Sequence, residues 1–317
     1  MGMLGLPNLS VQLNRNCNFA CAHCGFQSHF RETHSSRPMY ISVDLFTEIV
    51  DKYRSLEQRE TRFLSLAAGS EPLLHPAFLD LCHYANRCDV DFGFDTNASL
   101  LAQDVSRGLL AMRSFKRIVF SVDSLVPETY AAIRVGGHLY EVRQNVLDFL
   151  RLAKNAGRDD IHSRVNIVEQ FANRHEIDDF IRYWAPHVSQ VNVIQQRYGT
   201  RVPRPHWQPE KRLACGFLYN HMRILTDGTV IVCCVDDSFE SVIGSVTASS
   251  LADIWRGPMY ESLRARQQAG DFSGLAICRD CNCWTGFLRP RVYRRLQPDI
   301  VLGERPLGIV ARRLERS

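Results

Sequence analysis

From residue 9 to residue 194, short apolar runs alternate with longer segments whose apolar residues recur every three or four positions. This alternation predicts βα units around a parallel sheet, and hence an α/β fold. The predicted strands cover residues 9–13, 62–66, 90–94, 117–122, 164–168 and 190–194. Two of the predicted helices cover residues 42–56 and 140–156, with Ser42 as an N-cap for the first and Gly157 as the stop for the second. Six such units predict a partial (β/α)6 barrel, whose chemistry should lie at the carboxyl edge of the sheet.

The pattern changes after residue 197 and divides the rest of the chain into three parts. Residues 198–213 contain three prolines and no periodicity, which predicts a linker. In residues 214–284, the Asp227-Gly228 pair lies between two β-rich runs and predicts a β-hairpin, which a helix should follow to form a small domain. Residues 285–317 are rich in arginine and predict a solvated basic extension or a helix that covers the barrel mouth. The predicted barrel domain is residues 1–197.

The composition excludes several classes of protein. With 45% hydrophobic and 23% charged residues, the 317-residue chain has the composition of a globular protein. A net charge of +4 is too small to indicate a nucleic-acid-binding protein, and the arginine-rich tail lacks interleaved stacking aromatics. No apolar run is long enough to span a membrane, and no secretory signal precedes residue 9. These features predict a cytoplasmic protein without a membrane or nucleic-acid partner.

Cysteine is unusually frequent, and most of the eleven cysteines are clustered. Cys17, Cys21 and Cys24 follow the first predicted strand with the spacing C-x3-C-x2-C. Three thiolates can hold three irons of a cubane cluster, and a missing fourth ligand leaves one iron open, unlike in electron-transfer clusters. The alternative is a zinc site that His23 completes. Because no export signal accompanies the cysteines, metal ligation is favoured over disulfides.

This cysteine spacing at the start of a βα chain resembles the radical S-adenosylmethionine (SAM) superfamily. The resemblance implies a radical SAM barrel in which the open iron of a [4Fe–4S] cluster binds SAM. It also implies an external electron donor, such as flavodoxin or ferredoxin, and a 5′-deoxyadenosyl radical that abstracts hydrogen from a C–H bond. His23 stands where the family usually has an aromatic residue, next to the third cysteine.

Polar segments after the later strands resemble other motifs of the superfamily. Gly69-Ser70-Glu71-Pro72 is similar to its GGEP loop, and Thr96-Asn97 is similar to its T-N-G turn. Ser121 and Asp123 match its S-[IV]-D motif. Each segment also fits an ordinary turn or helix cap, and their order behind the cysteine loop is what favours a cofactor site. The resemblance implies a set of SAM-binding residues: His23, Gly69, Ser70, Glu71, Thr96, Asn97, Ser121, Asp123, Arg134 and Asn173.

A second cysteine group lies in the small domain. Cys215 and Cys233 enclose the predicted hairpin in the form C-x12-G-x4-C, and Cys278 and Cys281 form a C-x2-C pair. Four thiolates can close a zinc site or a [4Fe–4S] cluster, and the residue types leave both open. The pattern resembles the SPASM domain and its shortened form, the twitch domain, which implies one auxiliary [4Fe–4S] cluster.

Two further cysteines, Cys234 and Cys283, are candidate hydrogen donors because a thiol can return a hydrogen atom to a carbon radical. The alternative is that they are spare buried residues. Arg197, Tyr198, Glu169 and Gln170 follow the last two predicted strands of the barrel and are candidate substrate contacts.

Three functions remain open from the sequence. The chain resembles twitch enzymes such as 2-deoxy-scyllo-inosamine dehydrogenase and neomycin C epimerase. That resemblance implies hydrogen abstraction from a carbinol carbon of a small polar substrate of the aminoglycoside or aminocyclitol type. Oxidation or epimerisation in antibiotic biosynthesis would follow. The alternatives are a peptide-modifying maturase whose leader recognition resides in another protein, and a non-catalytic metal-cluster scaffold.

Overall fold

The computed structural model describes residues 8–26, 38–56, 63–67, 69–196, 212–234, 236, 238–239, 241–279, 281, 291–295 and 300–304. These residues form a mixed α/β fold around a sheet of eleven described strands. No described helix is long and apolar enough to cross a membrane.

Six parallel strands lie side by side in sequence order, as the alternating pattern predicts. They are β1 (Asn8–Val11), β2 (Phe63–Ser65), β3 (Asp91–Thr96), β4 (Phe115–Ser121), β5 (His162–Glu169) and β6 (Gln190–Gln195). Each pairs in parallel with the next. This arrangement is the partial (β/α)6 barrel that the sequence predicts, and all six strands agree with it to within two or three residues.

The helices that follow these strands cover one face of the sheet. They are α1 (Val43–Arg54), α2 (Phe78–Arg87), α3 (Gln103–Leu110), α4 (Pro127–Ile133), α5 (Leu139–Asn155) and α6 (Ile177–Trp184). The Ser42 hydroxyl accepts a hydrogen bond from the Leu45 N–H at 3.1 Å, which confirms the predicted cap of α1. Gly157 has a φ of +65° just after α5, which confirms the predicted stop.

An aromatic cluster fills the space between the sheet and α5. Phe94 and Phe115 stack with ring centroids 5.8 Å apart, and Phe149 of α5 packs edge-on against Phe115 and Phe120. Burial of a large apolar side chain contributes about 1.5–3 kcal/mol to stability. The side chains that alternate with these aromatics face the interior of the barrel. The strand ends are therefore held on a rigid base.

The predicted hairpin continues the barrel sheet. Its strands are β7 (His221–Ile224) and β8 (Thr229–Ile231), followed by β9 (Val242–Ser245), and β7 pairs in parallel with β1. Gly228 takes a φ of +82° in the predicted turn, where the Asp227 carboxylate accepts from the Thr229 N–H. Four helices accompany the hairpin: α7 (Phe217–Asn220), α8 (Leu251–Trp255), α9 (Pro258–Gln268) and α10 (Ala276–Arg279).

The arginine-rich tail differs from its prediction. Instead of a solvated extension or a helix, it contains β10 (Arg291–Arg295) and β11 (Ile300–Glu304). β10 pairs antiparallel with β6 at the open edge of the barrel. Unpaired edge N–H and C=O groups favour such an addition, and the charge content of the tail did not indicate it.

Candidate cofactor and cluster sites

The loop that carries Cys17, Cys21 and Cys24 begins just after β1 and is fixed by backbone hydrogen bonds to two other loops. The Ala20 N–H donates to the Val135 carbonyl at 2.8 Å, and the Ala22 N–H donates to the Ile133 carbonyl at 2.9 Å, just after α4. On the other side, the Glu71 N–H donates to the Asn16 carbonyl at 3.0 Å. The cysteine loop is therefore held between the ends of β2 and α4.

Two of the three thiols of this loop receive N–H donors, Cys17 and Cys21. The Asn97 amide approaches the Cys17 Sγ at 3.9 Å, and the Phe19 N–H approaches it at 3.5 Å. The Arg134 guanidinium donates to the Cys21 Sγ at 3.4 Å. Burial raises the pKa of the Cys17 thiol to about 12, with further increases from Glu71, Cys21 and Cys24. Buried sulfurs that accept N–H bonds fit an iron–sulfur cluster, which holds its ligands as thiolates.

No disulfide joins any of the ten described cysteines. Within the described part of the chain, no three His, Cys, Asp or Glu side chains are grouped closely enough to share a single metal ion. A cubane cluster ties each thiolate to a different iron, so its ligands need not converge on one point.

A buried ion pair lies directly behind the cysteine loop. The Arg134 Nη2 atom is 2.6 Å from the Asp123 Oδ2 atom, and the Asp123 side chain is fully buried. Burial alone would lower the pKa of Arg134, but Asp123 and Cys21 raise it above its ordinary value. Asp123 has a φ of +69°, and its other oxygen accepts from the Val168 N–H at 2.7 Å. This geometry holds a permanent positive charge against the cluster loop.

The ring of His23 is positioned by this ion pair. Its Nε2 atom is 3.7 Å from the Asp123 carboxylate, and its Nδ1 atom is 3.4 Å from the Gln170 amide nitrogen. Burial lowers the pKa of His23 below its ordinary value, against the opposing effect of the nearby Asp123 carboxylate. Both ring nitrogens thus face these partners. Its imidazole face remains the predicted contact for SAM.

Glu71 joins the ends of β2 and β3 rather than facing open space. The Glu71 carboxylate accepts from the Thr96 hydroxyl and from the Asn97 N–H, both at 2.8 Å, and also from the Leu73 N–H. Burial raises the pKa of Glu71 from its ordinary value of 4.5 to about 7. Asn97 in turn donates to Asn18 at 2.9 Å. Glu71, Thr96 and Asn97 therefore orient the cysteine loop.

The other predicted SAM-binding residues fall into two groups. Gly69, Ser70 and Ser121 are partly exposed at the ends of β2 and β4, where a cofactor could reach them. Asn173 is fully buried, and its contact with SAM stays a prediction. Its amide donates to the carbonyls of Asp123 and Val168 and accepts from the Gln170 N–H. It therefore braces the loop after β5.

The second cysteine group is assembled around α9. The Gln267 amide oxygen accepts from the Cys215 N–H at 2.8 Å, and its nitrogen approaches the Cys278 Sγ at 3.7 Å. Burial raises the pKa of the Cys215 thiol to about 12 and that of Cys278 to about 11. Neither Gln267 nor its role was predicted, since one glutamine in a helix carries no sequence signal.

The structure describes both Cys233 and Cys234, partly exposed in the loop after β8. The prediction makes Cys233 the ligand and places Cys234 apart from the cluster as a hydrogen donor. Because β8 ends at Ile231, strand alternation does not extend to these two residues and does not separate their side chains. Which of the two is the ligand stays a prediction.

Three predicted site residues, Arg197, Tyr198 and Cys283, lie outside the described residues. Glu169 ends β5 and is partly exposed at the carboxyl edge of the sheet. Its substrate contact stays a prediction.

Two family models match the chain. The model of the radical SAM superfamily matches residues 11–184, and the model of the SPASM iron–sulfur cluster-binding domain matches residues 215–282. The first match covers more than half of the chain and contains the N-terminal cysteine loop. The second begins at Cys215 and includes Cys281.

Among characterised sequences, the chain is similar to the tungsten-containing aldehyde ferredoxin oxidoreductase cofactor-modifying protein of Pyrococcus furiosus. The two are 22% identical over 302 residues, which cover 81% of this chain and 82% of that protein. It is also similar to the mycofactocin maturase MftC of Mycobacterium tuberculosis, with 27% identity over 204 residues. That match covers 64% of this chain and 45% of the maturase, so the chain spans less than half of that relative.

Solved structures share the fold. BtrN in complex with AdoMet and 2-DOIA superposes with a TM-score of 0.61 at 15% identity, covering 88% of this chain and 93% of BtrN. Streptococcus suis SuiB bound to S-adenosylmethionine superposes with a TM-score of 0.66 at 14% identity, covering 89% of this chain and 72% of SuiB.

Proposed function

The chain belongs to the radical SAM superfamily, and on this premise we propose that it abstracts hydrogen from a carbinol C–H bond of a small polar substrate. The SAM-binding [4Fe–4S] cluster and an auxiliary iron–sulfur cluster follow from the two domains. When bound, these groups supply a 5′-deoxyadenosyl radical and an acceptor for the electron that substrate oxidation releases. The reductant would be an external donor such as flavodoxin or ferredoxin.

The observation that carries this proposal is the set of N–H donors directed at the N-terminal thiols. Arg134 and Asn97 approach different cysteines of the loop, and each is itself oriented by a buried carboxylate, Asp123 or Glu71. Hydrogen bonds and charges of this kind tune an iron–sulfur cluster and orient its ligands.

The substrate class is proposed from the resemblance to twitch enzymes that act on aminocyclitol and aminoglycoside alcohols. Removal of a hydrogen atom from the carbinol carbon, a proton from its hydroxyl and one electron leaves a ketone. Return of hydrogen to the opposite face of the carbon leaves the inverted alcohol.

The test begins with anaerobic reconstitution of the full chain with iron and sulfide. We expect about eight irons per chain and formation of 5′-deoxyadenosine when dithionite and SAM are supplied. Reactions with aminocyclitol alcohols in deuterated water then separate the outcomes. A ketone with one 5′-deoxyadenosine per turnover indicates a dehydrogenase, and an inverted alcohol that carries deuterium indicates an epimerase. Iron-loaded protein that never cleaves SAM would reject catalysis and favour the scaffold alternative.

Peptide modification is the second candidate. Its support is the similarity to mycofactocin maturases and to a structure of SuiB bound to precursor peptide SuiA, which superposes with a TM-score of 0.63. Incubation with a candidate precursor peptide and its separate leader-binding protein would give a product of altered mass or stereochemistry. Failure of every aminocyclitol alongside modification of a peptide would replace the first candidate with the second.

A further inference from the structure

One arginine of the hairpin contacts loops of both cluster sites. Arg223 lies on β7, opposite Ser10 of β1, and only 2% of its surface is exposed. Its Nη1 atom donates to the Cys234 carbonyl at 3.3 Å and reaches the Cys233 carbonyl at 3.5 Å. The guanidinium is thereby attached to the loop that carries the second cysteine group.

The same guanidinium also lies near the N-terminal cysteine loop. Its central carbon is 4.9 Å from the ring centroid of Phe26, two residues after Cys24, and 5.7 Å from that of Phe239, which follows Cys234 in the C-terminal unit. Arginine stacks on aromatic faces in this way and stays charged when buried.

Gly69 makes this close approach possible. A side chain built on Gly69 would place its first carbon 2.9 Å from the Phe26 ring and 3.0 Å from the Arg223 Nη2 atom. Gly69 also has a φ of +81°, which favours glycine. The loop predicted to approach SAM therefore lies directly against Arg223.

We propose that Arg223 is a positioning residue that fixes the auxiliary-cluster loop against the cofactor loops and raises the reduction potential of the auxiliary cluster. Reduction of a cluster by one electron adds a negative charge, and a nearby cation in a desolvated site stabilises that added charge. The inference rests on the auxiliary [4Fe–4S] cluster of the proposed function.

The test is an anaerobic redox titration of reconstituted full chain, followed by electron paramagnetic resonance. SAM is included because it alters the spectrum of the N-terminal cluster and so separates the two signals. The variants are Arg223→Lys, which keeps the charge, Arg223→Gln, which keeps a donor without charge, and Arg223→Met, which keeps neither. We expect the auxiliary potential to remain at the wild-type value in the lysine variant and to become more negative in the other two.

Arg264 provides the matched control. It is also a buried arginine of the C-terminal unit, but it donates to the Leu218 and Trp255 carbonyls and stacks on Trp255. Arg264→Gln should leave the auxiliary potential unchanged.

Two results would overturn the inference. The first is a wild-type potential in the glutamine and methionine variants, and the second is an equal shift in Arg264→Gln. If Arg223→Met does not fold, the comparison of lysine with glutamine still decides the question. If reconstituted wild-type protein holds only about four irons per chain, the auxiliary cluster is absent. That result would reject the proposed function rather than the role of Arg223 alone.

Discussion

Glu71 shows how one buried carboxylate can organise a site without touching the reacting atoms. Its oxygens accept hydrogen bonds from three loop donors, one of which is the Asn97 N–H. The Asn97 side chain in turn donates to Asn18 of the cysteine loop. Burial keeps the pKa of this carboxyl near 7, so its charge changes close to neutral pH.

Glu71 should make the stability of the protein depend on pH. The folded carboxyl holds its proton up to about pH 7, whereas the unfolded one releases it near 4.5. The stabilisation that Glu71 contributes is therefore fully present below the pKa of the unfolded chain. It is lost as the pH rises through the pKa of the folded protein. We expect the free energy of unfolding, relative to Glu71→Gln, to fall by about 3 kcal/mol between pH 4.5 and pH 8. Anaerobic denaturant titrations across this range measure it, and a difference that stays flat with pH would contradict the expectation.

Of the adjacent cysteines Cys233 and Cys234, one is expected to be a ligand of the auxiliary cluster. The spacing behind Gly228 predicts Cys233 as a ligand and leaves Cys234 as a candidate hydrogen donor. We expect Cys233→Ala to lose about four irons per chain and Cys234→Ala to keep about eight. Iron analysis after reconstitution measures both, with Cys82→Ala, a fully buried core cysteine, as the control. The reverse pattern would make Cys234 the ligand.

At the scale of elements, the hairpin connects the two halves of the chain. β7 adds to β1 in parallel register, and the loop after β8 carries Cys233 and Cys234. Its turn depends on Gly228, whose φ of +82° disfavours any residue with a side chain.

Gly228→Ala should weaken both the hairpin and the auxiliary site. The added carbon would lie 3.1 Å from Thr247 and 3.2 Å from Val246, in addition to the backbone strain. Gly157→Ala is the matched control, because Gly157 also has a positive φ but nothing lies within 4 Å of the added carbon. We expect Gly157→Ala to lower the free energy of unfolding by about 1 kcal/mol and Gly228→Ala by clearly more, with loss of auxiliary iron. Equal effects in the two variants would show that contacts around the turn contribute nothing.

The elements of the barrel could be predicted because their patterns are local. The Ser42 cap and a one-sided apolar face predict helix α1. The apolar run Ile118-Val119-Phe120 predicts β4. The pairing of β7 with β1 joins residues more than 200 positions apart, and no local pattern encodes it. The same limit applies to Arg223 and Gln267, whose roles arise only from what the fold places beside them. It also applies to Asn173, whose hydrogen bonds within the loop after β5 no motif indicates.

At the scale of the whole molecule, the two cysteine groups are carried by different loops, which Arg223 connects. The N-terminal loop follows the end of β1, whereas Cys215 precedes β7, the parallel neighbour of β1. Cys233 and Cys234 follow the antiparallel β8 and return to the end at which β7 begins. Separate loops thus hold separate sites, and loss of one should spare the other.

Serine variants of one cysteine from each group test this independence. We expect Cys21→Ser and Cys215→Ser each to retain about four irons after reconstitution, since each loses a single cubane. Dithionite-driven formation of 5′-deoxyadenosine from SAM should disappear in Cys21→Ser, because the Arg134-linked thiol belongs to the cofactor loop. It should persist in Cys215→Ser, whose thiol contacts only the C-terminal group among the neighbours described for it. Loss of SAM cleavage in Cys215→Ser, with the N-terminal cluster still loaded, would contradict this expectation. The two sites would then be coupled in the cleavage of SAM as well as in substrate oxidation.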